Sequence, residues 1–246
     1  VILSHHIFVA VILLFMPVIV VSNILVFWGI YLYPGFHTTN NYLLLSLSVA
    51  DFTMGAYTIP MYALSYIPYT KEAIFCNKYA CLAWFASIMT SGAGSLYTLL
   101  FISIDRYIAV MWPLNYNNLV TGKRMIKLVV GIWTYTIAQA FFPMMGYNNY
   151  DPKGKPLPIV CNFYTTLPAP YVIWGSFGTV GGCIGISAIL YAQILTVAYR
   201  QILKFRQQNS FLSADQIRQF ERRVNSVKIT SFLMLLFIIL WLPYVL

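Results

Sequence analysis

Six long apolar runs constrain this chain more than any other feature of its sequence. Five carry no charge and one is interrupted only by Asp51; in chain order they are Ile7 to Tyr33, Tyr42 to Tyr69, Tyr79 to Ile104, Leu128 to Tyr150, Tyr171 to Tyr199 and Ile229 to Leu246. Each reaches the roughly 18 residues that mark a membrane-spanning helix. Spanning β-strands would be about ten residues long with alternating polarity. The sequence therefore predicts an all-α integral membrane bundle with six spanning helices in this chain.

The basic residues are distributed unevenly between the two sides of such a bundle. If Ile7 is outside, eleven of them fall inside: Arg106, Lys123, Arg124, Lys127, Arg200, Lys204, Arg206, Arg218, Arg222, Arg223 and Lys228. Four fall outside, namely Lys71, Lys78, Lys153 and Lys155. The positive-inside rule then predicts a multi-pass membrane protein whose amino terminus is outside. The net charge of +9 could suggest nucleic-acid binding. The uneven distribution across the membrane explains this charge instead, so the expected partners are membrane lipids and not nucleic acid.

Short connections, such as Pro34 to Asn41, predict that successive helices are antiparallel neighbours in one domain over residues 1–246. The last run stops at Leu246, three residues after Pro243. We therefore expect a domain that is cut within its sixth helix and lacks the seventh, as a fragment or as a truncated coding sequence.

Four cysteines lie at positions 76, 81, 161 and 183. Cys183 is inside an apolar run and is expected to be a small buried hydrophobe. Cys81 and Cys161 both fall on the outer, oxidising side, where a disulfide can persist. We predict a bond between them, with Cys76 as a competitor for Cys161.

Several short motifs occur in one order on successive runs. They are Asn23 in the first run, Asp51 in the second, Asp105-Arg106-Tyr107 closing the third, Trp133 in the fourth and Trp241-Leu-Pro243 in the sixth. In this order and spacing the chain resembles the rhodopsin-like family of G-protein-coupled receptors, which implies a seven-helix bundle. The stretches Asp105 to Gly122, Pro143 to Asn149 and Asn40 to Asp51 are similar to adenosine receptors in particular.

Asp51 is the only acid deep inside a run, so it should face the bundle interior, where an ionised carboxylate needs a partner. The resemblance implies a sodium site in which Asp51 and Ser95 supply oxygen ligands and Trp241 forms the roof. The alternative is a protonated Asp51 that is hydrogen-bonded to Asn23. No other cofactor is expected.

The resemblance makes Arg106 the switch residue that opens toward a heterotrimeric G protein, with Asp105 and Tyr107 beside it. Pro113 and Leu114 are cast as the apolar contact for that partner. The alternative for Arg106 is a snorkelling arginine with a neighbouring counter-ion. Where the family often has an acid that pairs with this arginine, at the start of the sixth helix, this chain has Arg223.

The expected ligand is an extracellular small molecule. An amine receptor needs an acid in the outer third helix, but the family's position for it is Ile88, which disfavours cationic amines. Phe163 matches the aromatic residue that stacks on the purine in adenosine receptors; packing within its loop is the alternative. The adenosine-receptor pattern is not matched at Tyr164, Gly92 and Val245. A site that recognises hydrogen-bond donors and acceptors loses discrimination when such groups are absent. The candidate ligand-binding residues are Ile88, Met89, Gly92, Phe163, Ser176, Trp241, Tyr244 and Val245.

The predicted function is a receptor that transmits such a signal, from adenosine or a related purine, to a G protein. Alternatives are an opsin, whose retinal needs a lysine in the seventh helix, and a truncated receptor or scaffold that does not signal. A transporter should show an inverted repeat, which the sequence lacks. It also lacks a nucleophile–base pair, so no enzymatic activity is expected. The fifth run has no proline where the family usually has one, and Gly181, Gly182 and Gly185 are expected to supply a local irregularity.

Overall fold

The computed structural model describes residues 2–33, 39–67, 69–70, 77–150 and 161–207. Five of its helices are long and apolar enough to cross a membrane: Val9–Leu32, Asn41–Leu64, Lys78–Met111, Gly122–Met145 and Tyr171–Arg200. We call them the first to fifth spans. They coincide with the first five apolar runs of the sequence, while the sixth run, Ile229 to Leu246, lies outside the described residues.

Three of the five spans combine more than one helical geometry. The first lies in the α-helix Ile2–Leu32, and the third is the single α-helix Lys78–Met111. The second consists of the α-helix Thr39–Thr53, the π-helix Met54–Thr58 and the α-helix Ile59–Leu64. The fourth joins the α-helix Gly122–Phe141 to the 3₁₀-helix Phe142–Met145. The fifth begins as the π-helix Tyr171–Gly178 and continues as the α-helix Thr179–Gln207. Single helical turns lie at Tyr116–Leu119 and Phe163–Thr166.

Hydropathy predicted the spans but not all of their ends. The third helix continues past Ile104 through the charged Asp105 and Arg106, since charges at the end of a run do not break a helix. The fourth run extends in sequence to Tyr150, yet its helix ends at Met145. Gly146, with φ of 113°, follows it in the left-handed conformation that commonly terminates helices.

The fifth span corrects one expectation. Its irregularity is the π-helix Tyr171–Gly178, whereas Gly181, Gly182 and Gly185 lie in regular α-helix with no atom within 4 Å of an added Cβ. A side chain from another span takes part in the π-helical segment, because Gln139 Nε2 donates to the Gly175 carbonyl oxygen at 2.7 Å. This contact spans 36 residues, so a scan for local helix breakers does not find it.

The described chain divides into two compact units, and residues 1–98 with 122–179 form the first. Within it, the first and second spans approach closely at Gly55, where an added Cβ would lie 3.0 Å from methyl groups of Ile19 and Val20. A hydroxyl pair crosses the same unit: Ser46 and Thr98 are hydrogen-bonded at 2.9 Å, and Trp133 Nε1 donates to Ser46 at 3.0 Å. Small residues and hydrogen bonds of this kind let membrane helices pack without a hydrophobic driving force.

Residues 99–121, together with those from 180 onward, form the second unit. Its described core centres on Tyr191 and Ile194, both buried. Leu99, Tyr107 and Val110 pack against them. The end of the third span that carries the Asp105-Arg106-Tyr107 motif is thereby anchored within this unit.

Candidate functional site

A disulfide joins Cys81 at the start of the third span to Cys161, as the sequence predicted. The two Cα atoms are 5.9 Å apart across a sequence separation of 80 residues. Cys183 is free and buried, also as predicted, whereas Cys76, the competitor, lies outside the described residues. The bond fixes the segment that follows Cys161 against the start of the third span.

Phe163, the predicted purine-stacking residue, is positioned two residues after this disulfide. Asn162 caps its helical turn, because the Asn162 side chain accepts a hydrogen bond from the Tyr164 amide at 2.9 Å. The Phe163 ring meets Phe85 edge to face, with 5.4 Å between ring centroids. Phe163 and Ile88 both pack against the buried cluster formed by Cys81, Leu82, Phe85, Leu167, Tyr171 and Val172.

The other described ligand candidates lie further along the third span and at the start of the fifth. The Ser176 hydroxyl contacts Met89 Sδ at 3.4 Å, which brings these two candidates together. Gly92 is buried on the third span. Trp241, Tyr244 and Val245 lie outside the described residues.

A series of aromatic contacts that was not predicted leads from Phe85 toward the second span. Trp84 lies 5.4 Å from Phe85 and 6.4 Å from Tyr62, and Tyr62 lies 5.2 Å from Tyr66, between ring centroids. The Tyr62 and Tyr66 hydroxyls are hydrogen-bonded at 2.7 Å. The i, i+4 spacing of the two tyrosines on one run is the signal that could have predicted their contact.

The predicted ion-site residues are in contact. Ser95 Oγ donates to Asp51 Oδ1 at 2.9 Å, and Ser95 is buried while Asp51 is half-buried. Asn23, the alternative partner, donates its amide instead to the Ile19 carbonyl of its own helix at 2.8 Å. Among the described residues Asp51 has no ion-pair partner. A carboxylate and a hydroxyl oxygen are ligands that suit a hard cation, so these residues fit part of a sodium coordination shell.

Asp105, Arg106 and Tyr116 form a charged cluster at the other end of the third span. Asp105 is buried and binds its neighbour Arg106, with Nε at 3.0 Å and Nη2 at 2.5 Å from Oδ2. The second carboxylate oxygen accepts a hydrogen bond from the Tyr116 hydroxyl at 2.8 Å. Tyr116 was not among the predicted residues; it lies eleven positions after Asp105, in the separate helical turn Tyr116–Leu119, so periodicity along the helix that ends at Met111 does not link the two.

The loop between these partners is exposed. Leu114 has 94% of its surface accessible, Pro113 beside it is also exposed, and the ring of Trp112 stands edge to face against Tyr107 at 5.7 Å. Leu114 and Pro113, the predicted apolar contact for a G protein, are therefore accessible. Arg223, the remaining switch candidate, lies outside the described residues.

Comparison with known proteins places this arrangement in context. The family model described as 7 transmembrane receptor (rhodopsin family) matches residues 22–246. The chain is 29% identical to the human adenosine receptor A2a over 256 residues, which cover 98% of this chain and 60% of that receptor. It is 29% identical to the horse A2a receptor over 238 residues, with coverage of 91% and 55%. The chicken adenosine receptor A2b is 28% identical over 244 residues, with coverage of 91% and 68%. The chain thus spans less than two thirds of the A2a receptors.

Proposed function

Because this chain belongs to the rhodopsin family of seven-transmembrane receptors, we propose that it binds an extracellular small molecule, adenosine or a related purine, and activates a heterotrimeric G protein. Membership confirms the predicted family and the predicted seven-helix bundle, and it makes the chain part of a multi-pass plasma membrane receptor. The family is one of receptors and not of enzymes. The ligand and the transducer are the proposed part.

The position of Phe163 carries the proposal. The disulfide and the Asn162 cap hold this ring beside Phe85, and Ile88 of the third span packs against the same buried cluster. A fixed aromatic ring offers a stacking face to a flat heterocycle at little cost in conformational entropy. Ser176, in contact with Met89, supplies a hydroxyl that can bond to a polar edge of the same ligand.

The similarity to A2a and A2b receptors favours a purine over other flat ligands. This chain nevertheless has Tyr164 and Gly92 where the resemblance implies an acid and a hydroxyl residue. Fewer fixed donors and acceptors mean weaker discrimination between purines. We therefore propose a purine site that relies on stacking more than on hydrogen bonds.

Signal transfer is proposed to pass through the cluster at the other end of the third span. Asp105 and Tyr116 hold Arg106 in one arrangement, and a ligand that favours the alternative arrangement shifts the population toward it. Leu114 and Pro113 then provide the apolar contact with the G protein. We also propose that the disulfide end is extracellular, as the basic residues of the sequence indicate.

Radioligand binding and nucleotide exchange on the intact receptor test the proposal together. Tritiated adenosine agonist should bind membranes that contain the receptor, and adenosine should accelerate guanine-nucleotide exchange on a co-expressed G protein. Phe163→Ala should weaken binding by about tenfold or more, which is the usual worth of one stacked aromatic ring with its buried area.

Tyr79→Ala is the matched control, because Tyr79 is an exposed aromatic residue two positions before Cys81 and is not part of the proposed site. Its affinity should stay within about twofold of the unchanged receptor. If no purine binds, or if Tyr79→Ala and Phe163→Ala weaken binding equally, the proposed ligand site is wrong.

A further inference from the structure

The fifth span begins with a segment whose backbone is not a regular α-helix. Over Tyr171–Gly178 the chain forms a π-helix, which is rare and occurs mostly as a single turn inserted into an α-helix. The segment contains no proline, so no residue within it lacks a backbone donor. The π-helical geometry therefore needs another cause, such as a side chain that inserts from a neighbouring helix.

Gln139 of the fourth span contacts this segment at two points. Its Nε2 donates to the Gly175 carbonyl oxygen at 2.7 Å, and its backbone carbonyl oxygen accepts from the Tyr171 hydroxyl at 2.8 Å. Gly175 leaves the space that the amide occupies, because an added Cβ there would already lie 3.4 Å from Gln139 Nε2. One residue of the fourth span is thus bonded to the π-helix at both of these positions.

The Gln139 amide is held in one orientation. Turning it by half a revolution would place Oε1 against the Gly175 carbonyl oxygen, where neither atom can donate. In the observed orientation Oε1 is buried and has no hydrogen-bond partner among the described residues. A buried acceptor without a partner costs free energy. Gln139 is therefore a costly residue for packing alone, and polar side chains inside a membrane span commonly have a functional role.

The bond to Gly175 acts directly on Ser176. The Gly175 carbonyl and the Ser176 amide belong to one planar peptide group, so a donor that fixes the carbonyl also fixes the backbone that leads into Ser176. The Ser176 hydroxyl contacts Met89 Sδ of the third span at 3.4 Å. In a regular α-helix one residue fewer in this turn would rotate the segment by about 100°. Such a change of register would turn the hydroxyl away from Met89.

We propose that Gln139 is a positioning residue of the ligand site, whose amide holds the π-helical register that directs the Ser176 hydroxyl toward Met89 and the bound ligand. The inference rests on the proposed function, in which this hydroxyl bonds to a polar edge of a purine. Gln139 acts through Ser176 and does not itself touch the ligand. It thereby favours ligands that present a hydrogen-bond donor or acceptor to Ser176 over flat ligands that only stack on Phe163.

A double-mutant cycle on the intact receptor tests this role. Binding of the tritiated adenosine agonist is measured for Ser176→Ala, for Gln139→Met and for the double variant. Ser176→Ala should weaken binding about fivefold, which corresponds to one ordinary hydrogen bond. Gln139→Met has a side chain of similar length without a donor, and it should weaken binding by a similar factor. The double variant should bind no more weakly than Ser176→Ala, because both changes remove the same contact.

Stability measurements and a second variant separate positioning from folding. The melting temperature of Gln139→Met should change little, since the substitution removes an unpartnered buried acceptor together with the bond to Gly175. Gly175→Val should weaken binding as Gln139→Met does, because its methyl groups would occupy the position of the amide. Gly181→Val is the matched control on the same span, since nothing lies within 4 Å of an added Cβ there. Its affinity should be unchanged.

Hydrogen exchange of the ligand-free receptor provides a measurement that needs no ligand. Backbone amides of residues 171–178 should exchange several-fold faster in Gln139→Met than in the unchanged receptor, because the π-helix loses its bond from the fourth span. Unchanged exchange would overturn the inference. So would affinity losses that multiply in the double variant, or a Ser176→Ala variant that binds the agonist as tightly as the unchanged receptor.

These contrary results would leave agonist binding and its dependence on Phe163 intact, so they would not contradict the proposed function. That function fails instead if the unchanged receptor binds no purine. The role of Gln139 in ligand binding then fails with it.

Discussion

Asp51 of the second span accepts a hydrogen bond from the Ser95 hydroxyl of the third span at 2.9 Å. An acid inside an apolar run must face other helices, and the hydroxyl that it meets lies 44 residues away on the third span. Among the described residues the carboxylate has one hydrogen bond and no ion-pair partner. A carboxylate inside the membrane is costly without a partner of opposite charge, so we propose a bound cation.

Sodium should stabilise the intact receptor through this pair. A ligand that binds only the folded state at ten times its dissociation constant raises the free energy of unfolding by about 1.4 kcal/mol. Asp51→Asn should remove the sodium dependence of the melting temperature, and Ser95→Ala should reduce it, both measured against a potassium salt at equal ionic strength. Ser48→Ala is the control, because Ser48 donates to the Leu44 carbonyl of its own helix. A sodium effect that survives Asp51→Asn would exclude the site.

Tyr116 is expected to restrain the switch. Tyr116→Phe removes its hydrogen bond to Asp105, and bonds to charged groups contribute roughly 1.5–3 kcal/mol when formed in a protein. Ligand-independent nucleotide exchange should therefore rise several-fold at equal surface expression. Tyr199→Phe, at an exposed site on the fifth span, should leave exchange unchanged. If the two variants behave alike, the Tyr116 bond does not hold the resting state.

At the scale of the helix, apolar length predicted where the spans lie, because a run of about 20 apolar residues has few other stable environments. The π-helices Met54–Thr58 and Tyr171–Gly178 were not predicted. Neither were the Trp133–Ser46 bond across 87 residues and the Gln139–Gly175 bond. Such features depend on which side chains meet in space, and periodicity along one helix does not encode that. Short motifs such as Asp105-Arg106 were found because their residues are adjacent in the sequence.

Close packing of the first two spans at Gly55 should make that position intolerant of larger residues. An added side chain meets Ile19 and Val20, and overpacking of this kind typically costs about 1–3 kcal/mol. Gly55→Leu should lower the melting temperature in detergent by several degrees. Gly29→Leu is the control, since nothing lies within 4 Å of its Cβ position. Equal melting temperatures for the two variants would mean that the first two spans are loosely packed.

At the scale of the whole molecule, the proposed ligand, ion and switch residues lie at different levels along the third span. Its disulfide-bearing end lies beside the aromatic residues proposed to bind a purine, Asp51 meets its middle, and Asp105 and Arg106 lie near its last turns. One helix 34 residues long thus carries part of the proposed ligand, ion and switch sites. A ligand, a cation and a G protein are linked thermodynamically if each binds one arrangement of this helix more tightly than the other.

We expect the receptor to have high resting activity. In the family that this chain resembles, an acid at the start of the sixth helix often pairs with the motif arginine and holds the receptor closed, but this sequence has Arg223 there. If Arg223 faces Arg106, the closed state loses an attraction and gains a repulsion between like charges. At a solvated surface this difference is on the order of 1 kcal/mol, which raises the open population several-fold. Asp105, which accepts a hydrogen bond from Tyr116, is the described counter-ion of Arg106. We expect high ligand-independent nucleotide exchange, and Arg223→Glu should lower it several-fold at matched surface expression. Arg222→Glu adds the same charge one position away, which is about 100° around the helix that the sequence predicts here, and should lower exchange less. An unchanged or faster rate in Arg223→Glu would mean that Arg223 does not face Arg106 and that the Asp105 cluster alone sets the resting state.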